Sequence, residues 1–128
     1  MPLILAAAAI ACVASVHDGD TVRLCDGERV RLVNIDAPEV AGSSRCTAQS
    51  RAKLAASRNP PWCDYEAGLA SRDQLRAFLS SGSPQIQRTG TDRYGRTLAR
   101  LSVNGRDAGN YLISAGLARP WQLSLIHI

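Results

Sequence analysis

The sequence predicts an α+β domain dominated by β-structure, namely a small five-stranded Greek-key barrel of the OB type with two to three helices. The first observation behind this prediction is the length of 128 residues, which suits one domain with a single modest core. The second is a set of short alternating segments near the N-terminus, separated by Asp-Gly pairs at residues 18–19 and 26–27. The third is the order of the predicted elements, which is three strands, a helix, two strands and a helix.

The N-terminal segments predict a three-stranded meander. Its strands are expected at residues 13–16, 21–25 and 29–35, with the two Asp-Gly pairs as tight turns. Pro38 ends the third strand, because proline cannot donate to a β-ladder.

The pairing of the first two strands brings two of the four cysteines together. If residues 18–19 form the turn, Cys12 faces Cys25 at a non-hydrogen-bonded pair, where side chains lie close. Cys46 and Cys63 bracket a polar segment at residues 40–64 and could close its base. Two disulfides indicate an oxidising compartment and hence a periplasmic or secreted protein; four free thiols in a cytoplasmic protein are the alternative.

The second half of the chain predicts the remaining elements. A short helix is expected within residues 47–57, and a longer one at residues 65–79 follows Asp64 as its N-cap. Strands are expected at residues 85–88 and 97–103, on either side of a polar loop at 89–96. Asp107 is expected to cap a last helix, and Gly116 to end it in the C′ position.

The ends of the chain differ in composition from the segment between them. Residues 1–11 are apolar and resemble part of a signal peptide or a misassigned start, but they lack a basic region and are too short to span a bilayer. Residues 12–121 are predicted to form the domain. Residues 122–128 are apolar, follow no predicted element and are interpreted as a non-native tail.

Charge and motif composition indicate chemistry on phosphates. The formal net charge is +4, and arginine supplies nearly all of the positive charge. The planar guanidinium group of arginine can bind a phosphate through two parallel hydrogen bonds. The cysteines have no CxxC spacing and neither histidine lies close to a pair of them, which disfavours a zinc site. Carboxylates that hold a cation and activate water, together with arginines that bind phosphate, are what metal-assisted phosphodiester cleavage requires. The candidates in this sequence are Asp20, Asp36, Glu39, Arg31 and Arg96.

These candidates lie in four sequence blocks that together resemble the staphylococcal nuclease (thermonuclease) family between about residues 13 and 121. The blocks are DGDT at residues 18–21, RL at 31–32 with IDAPE at 35–39, DRYGR at 92–96, and GLA at 116–118. The resemblance implies that the carboxylates of Asp20 and Asp36 and the carbonyl of Ala37 hold a calcium ion, with Asp18 reaching the ion through water.

The resemblance also implies roles for the remaining site residues. Glu39 would act as the general base on the attacking water, Arg31 and Arg96 would bind the scissile phosphate, and Tyr94 with Arg93 would contact the substrate. Trp62 and Trp121 are interpreted as packing residues rather than as surfaces for base stacking.

The implied activity is calcium-dependent cleavage of single- or double-stranded DNA and RNA, with little sequence preference and with 3′-phosphate products. The enzyme is expected to be a monomer without a membrane partner. A non-catalytic OB-fold module that binds nucleic acid is the alternative, and the retained acids and arginines argue against it. Backbone contacts are expected to dominate binding, so activity should fall with salt.

Overall fold

A mixed β-sheet and three helices build the part of the chain that the computed structural model describes, residues 8–122. The strands of this part are β1 (Ala9–Ile10), β2 (Val13–Asp18), β3 (Thr21–Leu24), β4 (Arg29–Leu32), β5 (Ile35–Asp36), β6 (Gln85–Thr91), β7 (Thr97–Val103), β8 (Arg106–Asp107) and β9 (Arg119–Pro120). Its helices are α1 (Ala48–Leu54), α2 (Tyr65–Ser80) and α3 (Ala108–Ser114), preceded by a 3₁₀ turn at Ser44–Cys46.

The strand pairing follows the order β1-β6-β7-β4-β3-β2, with β8 beside β7, and β5 and β9 form a separate antiparallel pair. The five predicted strands are present as β2, β3, β4, β6 and β7, and β4 runs parallel to β7. The third strand, predicted for residues 29–35, ends at Leu32 because the chain turns at residues 33 and 34, so Pro38 does not end it. The strand predicted for residues 85–88 continues to Thr91. Within the described residues the structure thus has a mixed sheet with more strands than predicted. Its closure into a five-stranded barrel stays a prediction.

The helices begin where their capping residues predict. The Asp64 side chain accepts a hydrogen bond from the Ala67 amide at the start of α2, and the Asp107 side chain accepts one from the Asn110 amide at the start of α3. Gly116 follows α3 with φ of +75°, a left-handed conformation that glycine adopts without steric cost. The predicted helix at residues 47–57 is shorter in the structure, as α1.

The first hairpin differs from its predicted register. The two turn residues are Gly19 and Asp20 rather than residues 18 and 19, so that Asp18 pairs with Thr21. Two register shifts, between Val13 and Ser15 and between Val16 and Asp18, then correct the offset along the strands. A β-bulge places an extra residue in one strand of a pair, which is why the error at the turn does not persist.

Both predicted disulfides are present. Cys12 and Cys25 lie 5.4 Å apart at their Cα atoms, and Cys46 and Cys63 lie 5.8 Å apart. The Cys25 amide donates to the Cys12 carbonyl over 2.8 Å, so the prediction of a non-hydrogen-bonded pair was wrong although the pairing was right.

One apolar core lies between the sheet and helices α2 and α3. It is formed by aliphatic residues of β2, β3, β4, β6 and β7 with Leu75, Phe78 and Leu79 of α2 and Leu112 of α3. Ala9 and Ile10, which the sequence assigns to a signal-like segment, pair with Ile86 and Gln85 at the sheet edge. The predictions for residues 1–7 and for 123–128 of the tail lie outside the described residues. No helix in the described range is long and apolar enough to cross a bilayer.

Candidate active site

Four buried carboxylates meet where the first hairpin approaches the segment after β4. Asp18 ends β2, Asp20 is a turn residue, Asp36 ends β5, and Glu39 follows Pro38. Each is less than 10% exposed. Asp20, Asp36 and Glu39 each offer a carboxylate oxygen, and the three oxygens lie within 4.8 Å of one another.

Hydrogen bonds from the backbone fix Asp20 between the two segments. The Ala37 amide donates to Asp20 Oδ2 over 2.9 Å, which links the hairpin turn to the chain that carries Asp36 and Glu39. The Thr21 hydroxyl donates to Asp20 Oδ1 over 3.0 Å, and the Asp20 amide donates to Asp18 Oδ1 over 3.1 Å. Both oxygens of Asp20 are thus oriented before any ligand binds.

Helix α2 packs closely against the two segments that carry the acids, namely the first hairpin turn and residues 36–39. A Cβ atom on Gly19 would lie 2.0 Å from Ser71 Oγ, and one on Gly68 would lie 2.2 Å from the Glu39 carbonyl oxygen. The Ser71 hydroxyl is buried and donates to the Leu117 carbonyl over 2.8 Å. The helix therefore approaches the acidic segments as closely as its backbone allows.

Glu39 is held by the segment that runs from residue 43 to residue 63. Its Oε1 accepts a hydrogen bond of 2.6 Å from the Ser43 hydroxyl and lies 4.0 Å from Arg45 Nε. Its amide donates to the Trp62 carbonyl over 2.8 Å. Contacts at both ends of the residue restrict where the carboxylate points.

Arg31 reaches the acids from β4. Its Nη1 lies 3.5 Å from Asp20 Oδ2 and its Nη2 lies 3.9 Å from Asp36 Oδ1. The Ile35 carbonyl accepts a hydrogen bond of 2.9 Å from Arg31 Nη1. The face of the guanidinium lies 5.1 Å from the ring centre of Trp121, a cation–π contact.

Arg96 approaches the same cleft from the loop between β6 and β7. Its Nε donates to Asp92 Oδ2 over 2.8 Å, and its guanidinium lies 5.9 Å from the centre of the Tyr94 ring. Tyr94 is 60% exposed, and its hydroxyl accepts a hydrogen bond of 2.8 Å from Arg93 Nη2. The loop thus places one arginine on the lining of the acidic cleft and an exposed aromatic ring beside that arginine.

The acids open into a cleft of about 110 Å³, and its lining combines negative and positive groups. Arg31, Arg45 and Arg96 line this cleft together with the four carboxylates. A neighbouring cavity of about 520 Å³ shares these arginines and adds Arg93 and Tyr94. The predicted site residues therefore fall into two connected parts, one around the acids and one along the loop at residues 92–96.

Burial raises the pKa of three of the acids. Desolvation, followed by the charge of Asp20, raises the pKa of Asp18 to about 8. Desolvation raises the pKa of Asp36 despite its hydrogen bonds from Arg119, and that of Glu39 despite the bond from Ser43. The charges of neighbouring carboxylates add to each of these upward shifts, and a bound cation would offset that repulsion.

The donor chemistry fits a hard divalent cation. Calcium prefers six to eight oxygen ligands, and three preclustered carboxylates supply several of them while the open cleft leaves positions for water and a phosphate oxygen. Ala37 is fully buried beside these acids and donates its amide to Asp20; the role expected of its carbonyl stays a prediction.

The sequence did not identify several residues that contact the acids. Ser43 and Arg45 lie in a polar segment without a motif, so nothing in their spacing distinguished them. Arg119 contacts Asp36 from 83 residues away and carries no local signal either. Thr21 belongs to the DGDT block, and its place next to Asp20 in the sequence was a signal for the hydrogen bond between them.

A small basic β-rich domain with acids and arginines around one cleft defines the class of nuclease-like domains that act on phosphodiesters. A sequence model described as "Staphylococcal nuclease homologue" matches residues 29–124, and the chain belongs to this family. The resemblance that the four blocks indicated is thereby confirmed.

Curated relatives agree with this assignment. The chain is 37% identical over 107 residues to the succinoglycan biosynthesis protein ExoI of Rhizobium meliloti (strain 1021), a match that covers 82% of the chain and 49% of that protein. It is 29% identical over 110 residues to proteins named "Uncharacterized endonuclease" from Escherichia coli O157:H7 and from Escherichia coli, covering 83% of the chain and 57% of each. The chain thus spans about half the length of the curated relatives it matches. The two Escherichia coli relatives carry the name endonuclease, whereas the printed name of the Rhizobium meliloti protein does not state a catalytic activity.

Proposed function

We propose that this chain is a calcium-dependent phosphodiesterase that cleaves DNA and RNA with little sequence preference. The observation that carries the proposal is the trio of buried carboxylates of Asp20, Asp36 and Glu39, with oxygens within 4.8 Å of one another, beside Arg31 and Arg96 in one cleft. A calcium ion held by Asp20, Asp36 and the Ala37 carbonyl would supply charge neutralisation and polarisation of a phosphate oxygen.

Glu39 is the proposed general base. Its carboxylate lines the cleft and is oriented by the Ser43 hydroxyl, and burial raises its pKa, which increases its affinity for the proton of a water molecule. The water oxygen forms a bond to phosphorus, its proton passes to Glu39, and the bond between phosphorus and the 5′ oxygen breaks. The leaving oxygen takes a proton from solvent, which yields a 3′-phosphate and a 5′-hydroxyl.

Arg31 and Arg96 are the proposed phosphate ligands. Both line the cleft, and their guanidinium groups approach from different elements, β4 and the loop before β7. Negative charge that develops on the phosphoryl oxygens in the transition state would be stabilised from two directions. Arg31 is held by carbonyl groups and by Trp121, so it needs little reorganisation to bind.

Tyr94 and Arg93 are the proposed contacts for the nucleotide next to the scissile bond. They line the larger cavity that is continuous with the acidic cleft through Arg31 and Arg96. An exposed aromatic ring can stack on any base, which supports binding without sequence preference.

We infer that residues 12–121 form the functional domain, that its sheet is of the five-stranded OB type, and that it acts as a monomer on single- or double-stranded substrates. The two disulfides support a periplasmic or secreted location.

Analysis of product ends tests the proposed chemistry. End-labelled single-stranded DNA and RNA of the same length, incubated with protein and calcium, should both be cut at many positions. The new 5′ ends should accept phosphate from polynucleotide kinase without prior phosphatase treatment. Products with 5′-phosphate ends would contradict the bond assignment, and binding without cleavage would favour the non-catalytic module.

A further inference from the structure

Arg119 is the second arginine on Asp36, and it contacts a different carboxylate oxygen from Arg31. Its Nε and Nη2 donate to Asp36 Oδ2 over 3.0 and 2.7 Å. Arg31 instead lies nearest Asp36 Oδ1, at 3.9 Å. The two oxygens of this carboxylate therefore have different partners, and Oδ2 has the shorter contacts.

The backbone places Arg119 opposite Asp36. The two residues are partners in the antiparallel pairing of β5 with β9, so the side chains start from neighbouring positions. Arg31, Arg45 and Arg96 are among the residues that line the acidic cleft, whereas Arg119 is not one of them. Arg119 thus contacts a candidate metal ligand without facing the space that a phosphate would occupy.

The segment closed by the Cys46–Cys63 disulfide holds Arg119 in turn. Arg119 Nη2 donates to the Pro60 carbonyl over 2.6 Å, and the guanidinium lies 5.1 Å from the ring centre of Trp62. These contacts fix the plane and direction of the guanidinium. Rotation of the Asp36 carboxylate would break two hydrogen bonds to a group that cannot follow it.

We propose that Arg119 is a positioning residue that locks the Asp36 carboxylate through Oδ2 and so presents Oδ1 to a divalent cation in the cleft. This inference rests on the proposed function, because it assigns Arg119 a role toward the proposed calcium site. Partners that orient a metal-binding carboxylate typically change metal affinity about 10–100-fold when they are removed.

An opposing effect must be weighed against this one. The positive charge of Arg119 repels a cation, so its removal alone would strengthen calcium binding. The Arg119 side chain is 37% exposed, however, and solvent and salt screen such a charge, whereas the two short hydrogen bonds act on a carboxylate that is 4% exposed. Loss of orientation therefore outweighs loss of repulsion.

Calcium titration of folded variants by calorimetry tests the proposal without using activity. Arg119→Gln should raise the calcium dissociation constant by about 10-fold or more. Arg76→Gln is the matched control, because it removes the same charge from an exposed position on α2 and should leave calcium binding unchanged. Arg119→Lys keeps the charge but loses the planar guanidinium that makes two hydrogen bonds, so its calcium dissociation constant should lie between those of wild type and Arg119→Gln.

A second readout separates positioning from substrate binding. Affinity for single-stranded DNA in the presence of a chelator should be the same for wild type and Arg119→Gln. Weaker DNA binding there would make Arg119 a phosphate ligand and overturn the inference. So would calcium binding by Arg119→Gln at or above the wild-type affinity.

Failure of this inference is distinguishable from failure of the proposed function. Wild-type protein that binds no calcium would overturn both, whereas equal binding by wild type and Arg119→Gln would overturn only the role of Arg119. If Arg119→Gln does not fold, Arg119→Lys decides the question, because wild-type calcium affinity in that variant would contradict the need for a fork.

Discussion

Glu39 is constrained at both its backbone and its carboxylate. Its amide is bonded to the Trp62 carbonyl and its Oε1 to the Ser43 hydroxyl, while Arg45 lies 4.0 Å from the same oxygen. A carboxylate fixed in this way beside Asp20 and Asp36 is suited to accept a proton in the transition state. Its loss should therefore lower turnover more than substrate affinity.

The first prediction concerns the turnover of a Glu39→Gln variant. The amide keeps the size of the side chain but cannot accept a proton as a carboxylate does, so kcat should fall about 10²–10⁴-fold. The dissociation constant for single-stranded DNA, measured without calcium, should change little. Glu66→Gln on the exposed side of α2 is the matched control and should retain wild-type kcat. Near wild-type turnover in Glu39→Gln would show that another group is the base.

Individual residues of the site were predictable to different degrees. Asp20, Asp36, Glu39, Arg31 and Arg96 stand in recognisable blocks, and the structure brings all five to one cleft. Most residues that orient them were not predictable, either because they lie in a segment without a motif, as Ser43 and Arg45 do, or because the contact joins distant parts of the chain. The Asp36–Arg119 contact, for example, depends on the pairing of β5 with β9, two strands of only two residues each.

At the scale of elements, α2 determines how the acidic segments are placed. Its periodicity and its Asp64 cap predicted it well, but the reason for a glycine in its first turns became visible only in the structure. Gly68 lies against the Glu39 carbonyl, which a Cβ atom at that position would approach to 2.2 Å.

The second prediction concerns Gly68→Ala. In an isolated helix this change would stabilise by about 1 kcal/mol. Here we expect a net loss of about 1–3 kcal/mol from overpacking, with a lower melting temperature and reduced kcat because the Glu39 segment is displaced. Gly90→Ala in β6 is the control, since a Cβ atom there would meet nothing within 4 Å. A more stable, fully active Gly68→Ala protein would show that the contact does not fix the segment.

The two disulfides differ in what they support. Cys12–Cys25 joins the residue before β2 to the residue after β3, whereas Cys46–Cys63 closes the segment whose carbonyl groups contact Glu39 and Arg119. Their sequence separations of 13 and 17 residues are similar, so a chain-entropy argument assigns them similar stabilisation.

The third prediction uses this similarity as a control. Replacing both cysteines of either pair with alanine should cost about 3 kcal/mol of unfolding free energy. At a temperature where both variants remain folded, loss of Cys46–Cys63 should reduce kcat much more than loss of Cys12–Cys25. Equal effects of the two changes on kcat would contradict a special role for the segment at residues 43–63.

The second hairpin turns over residues 25–27, one residue more than the predicted pair at 26–27, and Glu28 after it is bonded to β6 and β7. Its carboxylate accepts hydrogen bonds from Arg88 over 2.9 and 2.6 Å and from the Thr97 hydroxyl over 2.7 Å. The bonds from Arg88 and then from Thr97 lower the pKa of Glu28 from 4.5 to about 2. A lowered pKa means that the folded state favours the charged form.

The fourth prediction follows from the direction of that shift. The stabilisation is complete above pH 4.5 and is lost as the pH falls toward 2. The Arg88 side chain is 47% exposed, so the contribution should stay below about 1 kcal/mol. Thermal unfolding should show Glu28→Gln less stable than wild type at pH 7, with the difference shrinking between pH 4.5 and pH 2. A difference that does not depend on pH would contradict the ion-pair explanation.

At the scale of the whole molecule, element order was easier to predict than closure and register. Alternation and Asp-Gly turns predicted the five principal strands, because these patterns act over a few residues. The first hairpin was offset at its turn, and two bulges corrected it, since burial of Val16 and Val22 and pairing of the cysteines favour that register over a uniform ladder. The short pair β5–β9 depends on the assembled fold and had no local pattern.

The net charge of +4 and the arginine-lined cleft together favour a polyanionic substrate. Such binding releases counterions and is weakened by salt. The proposed chemistry at the cleft, in contrast, would depend on a cation held among the buried carboxylates. The central claim is therefore that cleavage requires calcium at these acids.

Cleavage of end-labelled single-stranded DNA across a calcium titration is the most direct test of that claim. After exhaustive chelation the protein should be inactive, and activity should return in millimolar calcium but hardly in magnesium, which holds its waters and resists a loosely organised oxygen site. Asp36→Asn, which removes the charge of one proposed ligand, should need far more calcium than wild type for half-maximal activity. Full activity after chelation, or an unchanged calcium requirement in Asp36→Asn, would contradict the account.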